Sequence, residues 1–290
     1  MRLRVPFRLR LAGVALLAAL GTREGFCQGY APQPQLSQSG LPAPAEALQF
    51  LARFRQAFNS EPCYLEFDLQ ELPRRGDERQ FHGRLWRGRG EDGPIARLSF
   101  SGQDGGEHRL LVQSGTRSAL WTFDGNAAIP QQAEALFSPV LPGLEMTPFD
   151  LQMPFFYWQD VRLSAVTRIR GRPSYVFVFR PPADFNVGNS GLTAVRAYLD
   201  TEFEAPVQFE VLGKSGGVLK TWSLLDMKQV QGRWIVREVD VRNDATRDKA
   251  RFIVTGVAFD PSLPTGLFEP GRLADVMGPP PADRIAHIGP

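Results

Sequence analysis

Residues 195–243 read VRAYLDTEFEAPVQFEVLGKSGGVLKTWSLLDMKQVQGRWIVREVDVRN. Apolar and polar residues alternate through this stretch, and glycine turns at Gly213–Gly217 and Gln231-Gly232 interrupt the alternation. A period of two predicts strands with one buried face, and short glycine turns join such strands into antiparallel hairpins. The stretch therefore predicts an antiparallel meander, with strands at 193–200, 206–213, 218–228 and 233–242.

The same alternation extends in both directions along the chain. It predicts further strands at 63–72, 79–87, 94–101, 107–114, 117–124, 161–170, 174–180 and 250–259. About twelve strands with few helices indicate a mainly β (α+β) protein, built on an antiparallel sheet large enough to curve, with helices on one side.

Two stretches predict helices. Residues 45–58 carry Leu48, Leu51, Phe54 and Phe58 at helical spacing. In TPFDLQMPFFYWQD, residues 147–160, Thr147 suits a helix cap, Pro148 suits the first turn, and Pro154 should break the helix. Its side chains are apolar on all sides, so the segment needs cover on all sides.

The N-terminus resembles an export signal. Arg2, Arg4, Arg8 and Arg10 precede the apolar run Leu11–Leu20, which is too short to span a bilayer. Residues 1–28 are therefore predicted to be a signal peptide, cleaved after Gly21 or Gly29. Lipidation of Cys27 is the less favoured alternative, because Glu24-Gly25-Phe26 are not the small or aliphatic residues that usually precede a lipidated cysteine.

The flanking segments lack apolar periodicity. Residues 29–44 are rich in Pro, Gln and Ser and predict a flexible tether, and residues 276–290 predict a disordered tail. One domain is expected between them, at 45–275.

The signal holds five of the 33 basic residues but one of the 31 acidic ones, so the exported chain is weakly acidic. This charge argues against nucleic acid as a partner.

No catalytic or metal-binding constellation emerges from the motifs. Gly213–Gly217 matches G-x-S-x-G around Ser215, but a hydrolase elbow needs a helix after the serine, and a strand is predicted there. His82, His108 and His287 lack zinc-type spacing. We therefore expect no metal, no cofactor and no enzymatic activity; a hydrolase acting through Ser215 is the least favoured reading.

Several stretches, taken in order, resemble the LolA-like outer-membrane lipoprotein-sorting proteins over about residues 45–275. They are CYLEFDLQ, PFFYWQD, RIRGRPSYVFVFRPP, the 195–243 meander and RFIVTGVAFDPSLPTGLFEPGRL. The shared pattern includes a strand ending at Asp200, a turn followed by Pro206, a G-x-W at Gly232-Arg233-Trp234, Asn243, and an F-x-P at Phe268-Glu269-Pro270.

This resemblance implies an incomplete β-barrel whose concave face binds lipid or the acyl chains of lipoproteins. It also implies a periplasmic, monomeric carrier without cofactor, and sorting proteins of the inner or outer membrane as further partners. The long apolar 141–158 segment and the tether are departures from a dedicated carrier. An envelope sensor or interaction scaffold with a filled cavity is therefore the alternative.

The expected ligand-binding residues form a wall and a lid. The lid, residues 147–158, would cover the empty cavity and yield to acyl chains. Strand parity assigns the wall, and a register error of one residue would reverse the assigned face. The wall residues are Leu65, Phe67, Leu69, Trp121, Phe123, Tyr175, Phe177 and Phe179, and the lid residues are Phe149, Met153, Phe155, Phe156 and Trp158.

Overall fold

The computed structural model describes residues 40–58, 62–101, 106–115, 117–123, 125–131, 133–185, 187–188 and 190–289. The predicted signal peptide, Cys27 and most of the tether lie outside these residues. The strands are β1 Cys63–Leu72, β2 Arg79–Gly90, β3 Gly93–Ser101, β4 Glu107–Gln113, β5 Ala119–Phe123, β6 Ala128–Pro130, β7 Val161–Ile169, β8 Arg172–Phe179, β9 Ala194–Asp200, β10 Ala205–Leu212, β11 Val218–Val230, β12 Arg233–Asn243, β13 Lys249–Phe259 and β14 Ala286–His287. The α-helices are α1 Pro44–Phe58 and α2 Pro148–Gln152, and 3₁₀ helices span Ala133–Phe137, Pro154–Tyr157, Pro270–Arg272 and Ala282–Arg284.

The described strands form one antiparallel sheet in the order β6-β5-β4-β3-β2-β1-β13-β12-β11-β10-β9-β8-β7, with β14 paired to β13. Strands β1 and β13 meet in the middle, and β6 and β7 form the two edges, so the sheet is not closed. The predicted fold class is confirmed. Every strand that alternation predicted is present, whereas β6 and β14, of three and two residues, are too short to show a pattern.

Helix α1 packs on the inner face of the sheet, the face that carries the main core. Its buried residues are Ala47, Phe50, Leu51 and Phe54. The Phe50 ring lies 5.1 Å from that of Tyr175 on β8 and 6.2 Å from that of Phe177. Leu48, expected on the buried side, is 54% exposed, so the buried stripe of the helix is rotated towards Ala47 and Phe50.

The connection between the two sheet edges crosses this inner face. Residues 145–158, here called the plug, contain α2 and the 3₁₀ helix that follows it. Thr147 caps α2 through a reciprocal capping box with Asp150, as its sequence predicts. Met153 adopts a left-handed conformation with φ 47°, and Pro154 starts the 3₁₀ helix, so the predicted helix break is also confirmed.

The outer face of β1–β6 is covered by residues 260–277, here called the strap. Leu267 packs with Tyr64 and Trp86, and Leu273 packs with Ile95 and Leu111. Gly88 on β2 leaves room for the strap, because a Cβ at that position would lie 2.4 Å from the Phe268 ring. The strap thus gives this half of the sheet a second core on its outer side.

Two buried arginines hold the strap through its backbone. Arg97 on β3 is 1% exposed and donates to four carbonyls, those of Leu267 (3.2 Å), Arg272 (2.9 Å), Leu273 (3.1 Å) and Asp275 (2.5 Å). Arg109 on β4 donates to Leu273 and Ala274. Burial, followed by the neighbouring Arg109 guanidinium, lowers the pKa of Arg97. The strap carbonyls therefore compensate a charge that burial has removed from water.

The predicted disorder of residues 276–290 is contradicted over the described part, 276–289. Strand β14 pairs with β13 through Ala286↔Val257 and His287↔Gly256. Ile288 is 8% exposed in the main core, and Ile285 packs against the strap cluster. Strand β12 pairs with β13 only as far as Ile253, which leaves the edge beyond it open to β14. The prediction failed because the Pro-rich composition of the segment suggested disorder. The order depends on Ile285, Ile288 and the open edge of β13, and that edge cannot be read from the sequence of the tail.

We expect Arg97→Met to release the strap, because the substitution removes the four hydrogen bonds that the guanidinium donates and keeps an apolar side chain. Urea unfolding should show a loss of about 2–4 kcal/mol, and tryptic cleavage after Arg272 should accelerate. The matched control is Arg89→Met, at an exposed position of β2. Equal tryptic protection in the two variants would show that apolar packing alone holds the strap.

Candidate functional site

The structure brings most of the predicted wall and lid residues into one continuous core on the inner face. Tyr175 is partly buried against this core. The buried members from the predicted set are Leu65, Phe67, Leu69, Phe149, Met153, Phe155, Phe156, Trp158, Phe177 and Phe179. The inner face and the plug therefore share a single apolar interior.

Trp121 and Phe123 are corrections to the predicted wall. Both pack with Ile95, Leu111 and the strap on the outer face, whereas Leu120 belongs to the inner core. The pairing Trp121↔Leu111 places both residues on the outer side. Alternation in β5 is present as predicted, but the predicted face is one residue out of phase, because nothing near β5 indicates that the strap covers its outer side.

Aromatic rings of the plug fill the space between the strands. The Phe155 and Phe156 rings each lie 5.3 Å from the Phe209 ring on β10 and 5.8 Å from the Phe179 ring on β8. Phe156 also lies 5.0 Å from Phe54 on α1. Edge-to-face and tilted rings at these distances are favourable contacts beyond their buried area.

One small cavity lies on the inner face among the described residues. Its volume is about 10 Å³, room for about one water molecule. It lies between α2 and strands β9–β11 and is lined by Phe149, Asp150, Met153, Phe155, Val195, Phe209, Val211, Lys220 and Trp222. In this state the plug occupies the interior of the half-barrel.

A polar cluster joins the plug to the rim of the sheet. Lys220, near the start of β11, donates to Asp150 Oδ2 at 2.8 Å and to the Glu145 carbonyl at 2.9 Å. Asp150 Oδ2 also accepts from the Thr147 backbone N–H at 2.8 Å and from its hydroxyl at 2.7 Å. The carboxylate that caps α2 thus pairs with a wall lysine. We call Glu145, Asp150, Lys220 and Asn243 the rim cluster.

The Glu145 side chain completes the rim cluster. Asn243, the last residue of β12 and the register partner of Lys220, donates to Glu145 Oε1 at 3.3 Å. Burial raises the pKa of the Glu145 carboxyl, and the Asn243 hydrogen bond and the Lys220 charge oppose that shift. The plug therefore supplies both carboxylates of the cluster, and the sheet supplies the lysine and the amide.

Further hydrogen bonds fix the other parts of the plug. Gln152 donates to the Gln113 carbonyl at 2.5 Å, and the Ser114 hydroxyl donates to the Gln152 carbonyl at 3.1 Å. Arg55 of α1 donates to the Trp158 carbonyl at 2.9 Å. Each of these contacts is made by a single side chain, and no described residue of the plug pairs with a strand of the sheet.

Sequence reasoning missed Lys220, Trp222 and Phe209 as inner-face residues. Lys220 and Trp222 are two positions apart on β11 and line the same cavity. A lysine on the face that also carries a buried tryptophan is unusual in a solvated strand pattern. The spacing of two residues between Lys220 and Trp222 was the available signal, but the sequence analysis did not single out Lys220.

The other candidate sites do not assemble. Ser215 lies in the exposed turn between β10 and β11, so a strand follows it and no nucleophile elbow forms. Among the described residues, no group of three or more His, Cys, Asp or Glu side chains is placed to hold a metal ion. Neither described α-helix has the length and apolar character needed to cross a bilayer.

Comparison with solved structures shows the fold of the LolA superfamily. A domain assigned to outer membrane lipoprotein sorting, from Vibrio parahaemolyticus, has a TM-score of 0.68 at 18% identity and covers 77% of this chain and 97% of its own. A DUF1329 family protein from Desulfovibrio piger has a TM-score of 0.68 at 14% identity, covering 80% and 100%. A LolA superfamily protein from Nitrosomonas europaea has a TM-score of 0.60 at 13% identity, covering 79% and 98%.

Sequence comparisons add less. A family model described as that of an uncharacterized protein matches residues 145–275, from the first residue of the plug to the strap. The search of curated proteins gives no match. At these identities the resemblance to solved structures establishes the fold, while function must be argued from the site.

We expect Phe156→Ala to destabilise the unliganded protein by about 3–5 kcal/mol, because the Phe156 side chain is 1% exposed and its loss leaves a void between α1, β8 and β10. Urea denaturation followed by circular dichroism measures the change. Leu48→Ala, at an exposed position of α1, is the control and should cost under about 1 kcal/mol. Equal losses in the two variants would show that the plug contributes little to stability.

Proposed function

We propose that this protein is a periplasmic carrier or binding protein that holds acyl chains of a lipid or lipoprotein on the inner face of its half-barrel. One observation carries the proposal: the apolar inner face is covered by a connecting segment rather than by a strand of the sheet. The plug touches the wall through aromatic rings and is fixed by a few side-chain hydrogen bonds. Its removal would leave every strand pairing of the sheet intact.

The energetics favour exchange of the plug for an acyl chain. Burying about twelve CH₂ groups supplies on the order of 10 kcal/mol gross, at about 0.8 kcal/mol each. The plug already buries Phe149, Met153, Phe155 and Phe156 at the same wall. The net binding free energy is the difference between two free energies, that of the acyl chain on the wall and that of the plug on the same wall. A small difference allows a carrier to release its cargo.

Met153 and Pro154 provide the break at which the plug can rearrange. Met153 is held in a left-handed conformation, and Pro154 separates α2 from the 3₁₀ helix. The two halves of the plug are therefore short, separate elements. A flexible thioether at the junction can repack against different neighbours.

Export and family resemblance support the same proposal. The N-terminal arginines and apolar run suit a cleaved signal, which supports a periplasmic carrier. A relative with the same fold is assigned to outer membrane lipoprotein sorting. Acyl chains displayed by lipids or lipoproteins match the apolar inner face, and no step of this function requires a cofactor or covalent catalysis.

The filled interior favours a second candidate function. A cavity of about 10 Å³ is what an envelope sensor or interaction scaffold with a permanently packed half-barrel would show. In that case the plug is ordinary core, and the fold acts through its surface. The two candidates differ in whether the interior accepts a ligand.

Native mass spectrometry with lipid extraction should separate them. The full chain is expressed in an exporting host and purified from its periplasm without detergent. We expect bound phospholipid or acylated peptide, or uptake of added palmitoyl chains. A clean apo mass with no uptake, together with a stable co-purifying protein, would favour the scaffold instead.

Phe156→Ala should also raise affinity for a palmitoyl chain by at least about tenfold, because it weakens the closed state and leaves the opened wall unchanged. Displacement of a fluorescent fatty-acid probe measures the affinity, with Leu48→Ala as the control. Unchanged or weaker binding by a folded Phe156→Ala protein would contradict displacement of the plug.

A further inference from the structure

We propose that Lys220 and Trp222 form a head-group site, so that the preferred ligand is an amphiphile with an anionic head, a carboxylate or a phosphate. The inference rests on the proposed function and specifies its ligand class. The Lys220 ammonium would pair with the head at the rim of the half-barrel. The acyl chain would then run inward along the wall that the plug now covers.

The first argument is the origin of the charges around Lys220. The side chain of Lys220 is 18% exposed and makes its ion pair with Asp150 at 2.8 Å. Its second contact is the Glu145 carbonyl, and the Glu145 carboxylate is the other acid of the rim cluster. Both acids belong to the plug. If the plug leaves, Lys220 stays on the wall without its counter-ion. A ligand that covers the wall again must then supply an anion, because a reburied cation without a partner is costly.

The second argument is an unpaired donor on a residue that lines the same cavity. Trp222 is 4% exposed, and its indole N–H finds no acceptor among the described residues. Trp222 and Lys220 share one face of β11, about 7 Å apart by strand rise, and both line the cavity. A buried donor beside a cation suits the second oxygen or the ester carbonyl of an anionic lipid.

The third argument is the order of polarity along the wall. Lys220 lies at the rim, opposite Asn243 at the end of β12. Trp222 comes next, and its ring lies 4.8 Å from that of Phe209, which in turn contacts Phe155 and Phe156 of the plug. Along the wall the side chains therefore change from the charged Lys220, through the indole of Trp222 with its one polar edge, to the apolar Phe209. This is the profile of an amphiphile with its head at the rim.

Asp150 then acts as an internal stand-in for the ligand. In the closed state it is the carboxylate that Lys220 binds, attached to a segment whose phenylalanines fill the acyl site. An anionic amphiphile replaces both parts at once, the carboxylate at Lys220 and the rings at Phe209. A neutral lipid replaces the rings alone and leaves the lysine unpaired.

The test compares ligands that share one acyl chain and differ in the head. Palmitate, palmitoyl-lysophosphatidylglycerol and neutral 1-monopalmitoylglycerol are titrated into the full chain below their aggregation concentrations, with probe displacement as the readout. We expect both anionic ligands to bind at least about tenfold more tightly than the neutral one. The two anionic ligands distinguish a carboxylate from a phosphate head.

Lys220→Met should abolish this preference and bring the ratio of anionic to neutral affinity to about one. Lys228→Met, at an exposed position of the same strand, should leave the ratio unchanged. Asp150→Asn should tighten binding of all three ligands several-fold and keep the anionic preference, because it weakens the closed state that every ligand must open. The ratio is informative even if Lys220→Met also loosens the plug, since loosening favours all three ligands alike.

The outcomes separate this inference from the function on which it rests. Equal binding of the three ligands by the unmodified chain, or an unchanged ratio in Lys220→Met, overturns the head-group site and leaves acyl-chain binding standing. Failure of every ligand to bind overturns both.

Discussion

The connection between the two edges of the sheet is the constraint on which the rest of the structure depends. Strands β1 and β13 pair in the middle, so the first meander ends at one edge with β6, and the second begins at the other edge with β7. The intervening chain has to cross a face of the sheet. It crosses the inner face as the plug, which explains why this segment is apolar on all sides. The outer face of the first meander is covered independently, by a strap fixed through Arg97.

This topology also explains the division between apolar and polar contacts. Within the half-barrel the plug is held by rings that contact Phe179 and Phe209. Single side chains also hold it: Lys220 at Asp150, Ser114 at Gln152 and Arg55 at Trp158. Apolar contacts are non-directional and can be exchanged for an acyl chain. The hydrogen bonds are directional, and they fix the position of the plug on the inner face.

Strand periodicity predicted most of the fold, because alternation and turn residues are local properties of the chain. It placed Leu65, Phe67 and Phe177 on the inner face and located the break at Pro154. It failed where a second packing layer reversed the expected face: the strap covers Trp121 and Phe123, and nothing near those residues indicates it. It failed again at β14, where pairing depends on the early divergence of β12 from β13. Lys220 was missed because its partner, Asp150, is 70 residues earlier in the chain. Among the site residues, strand parity gave the correct face everywhere except in β5, and long-range pairing was not visible.

A plug and a wall that share one core are not equivalent in their effect on binding. Wall residues such as Phe209 contact the plug in the closed state and would contact the ligand in the open one, so their contributions largely cancel in the affinity. Plug residues such as Phe156 stabilise the closed state alone, so each contact they make lowers the affinity for the ligand. Lys220 belongs to the wall but differs from Phe209, because it needs a negatively charged partner in both states. That partner is Asp150 in the closed state and the ligand head group in the open one. In the proposed carrier, the apolar interior therefore determines how tightly an acyl chain binds relative to the plug, and Lys220 at the rim selects ligands by their head group.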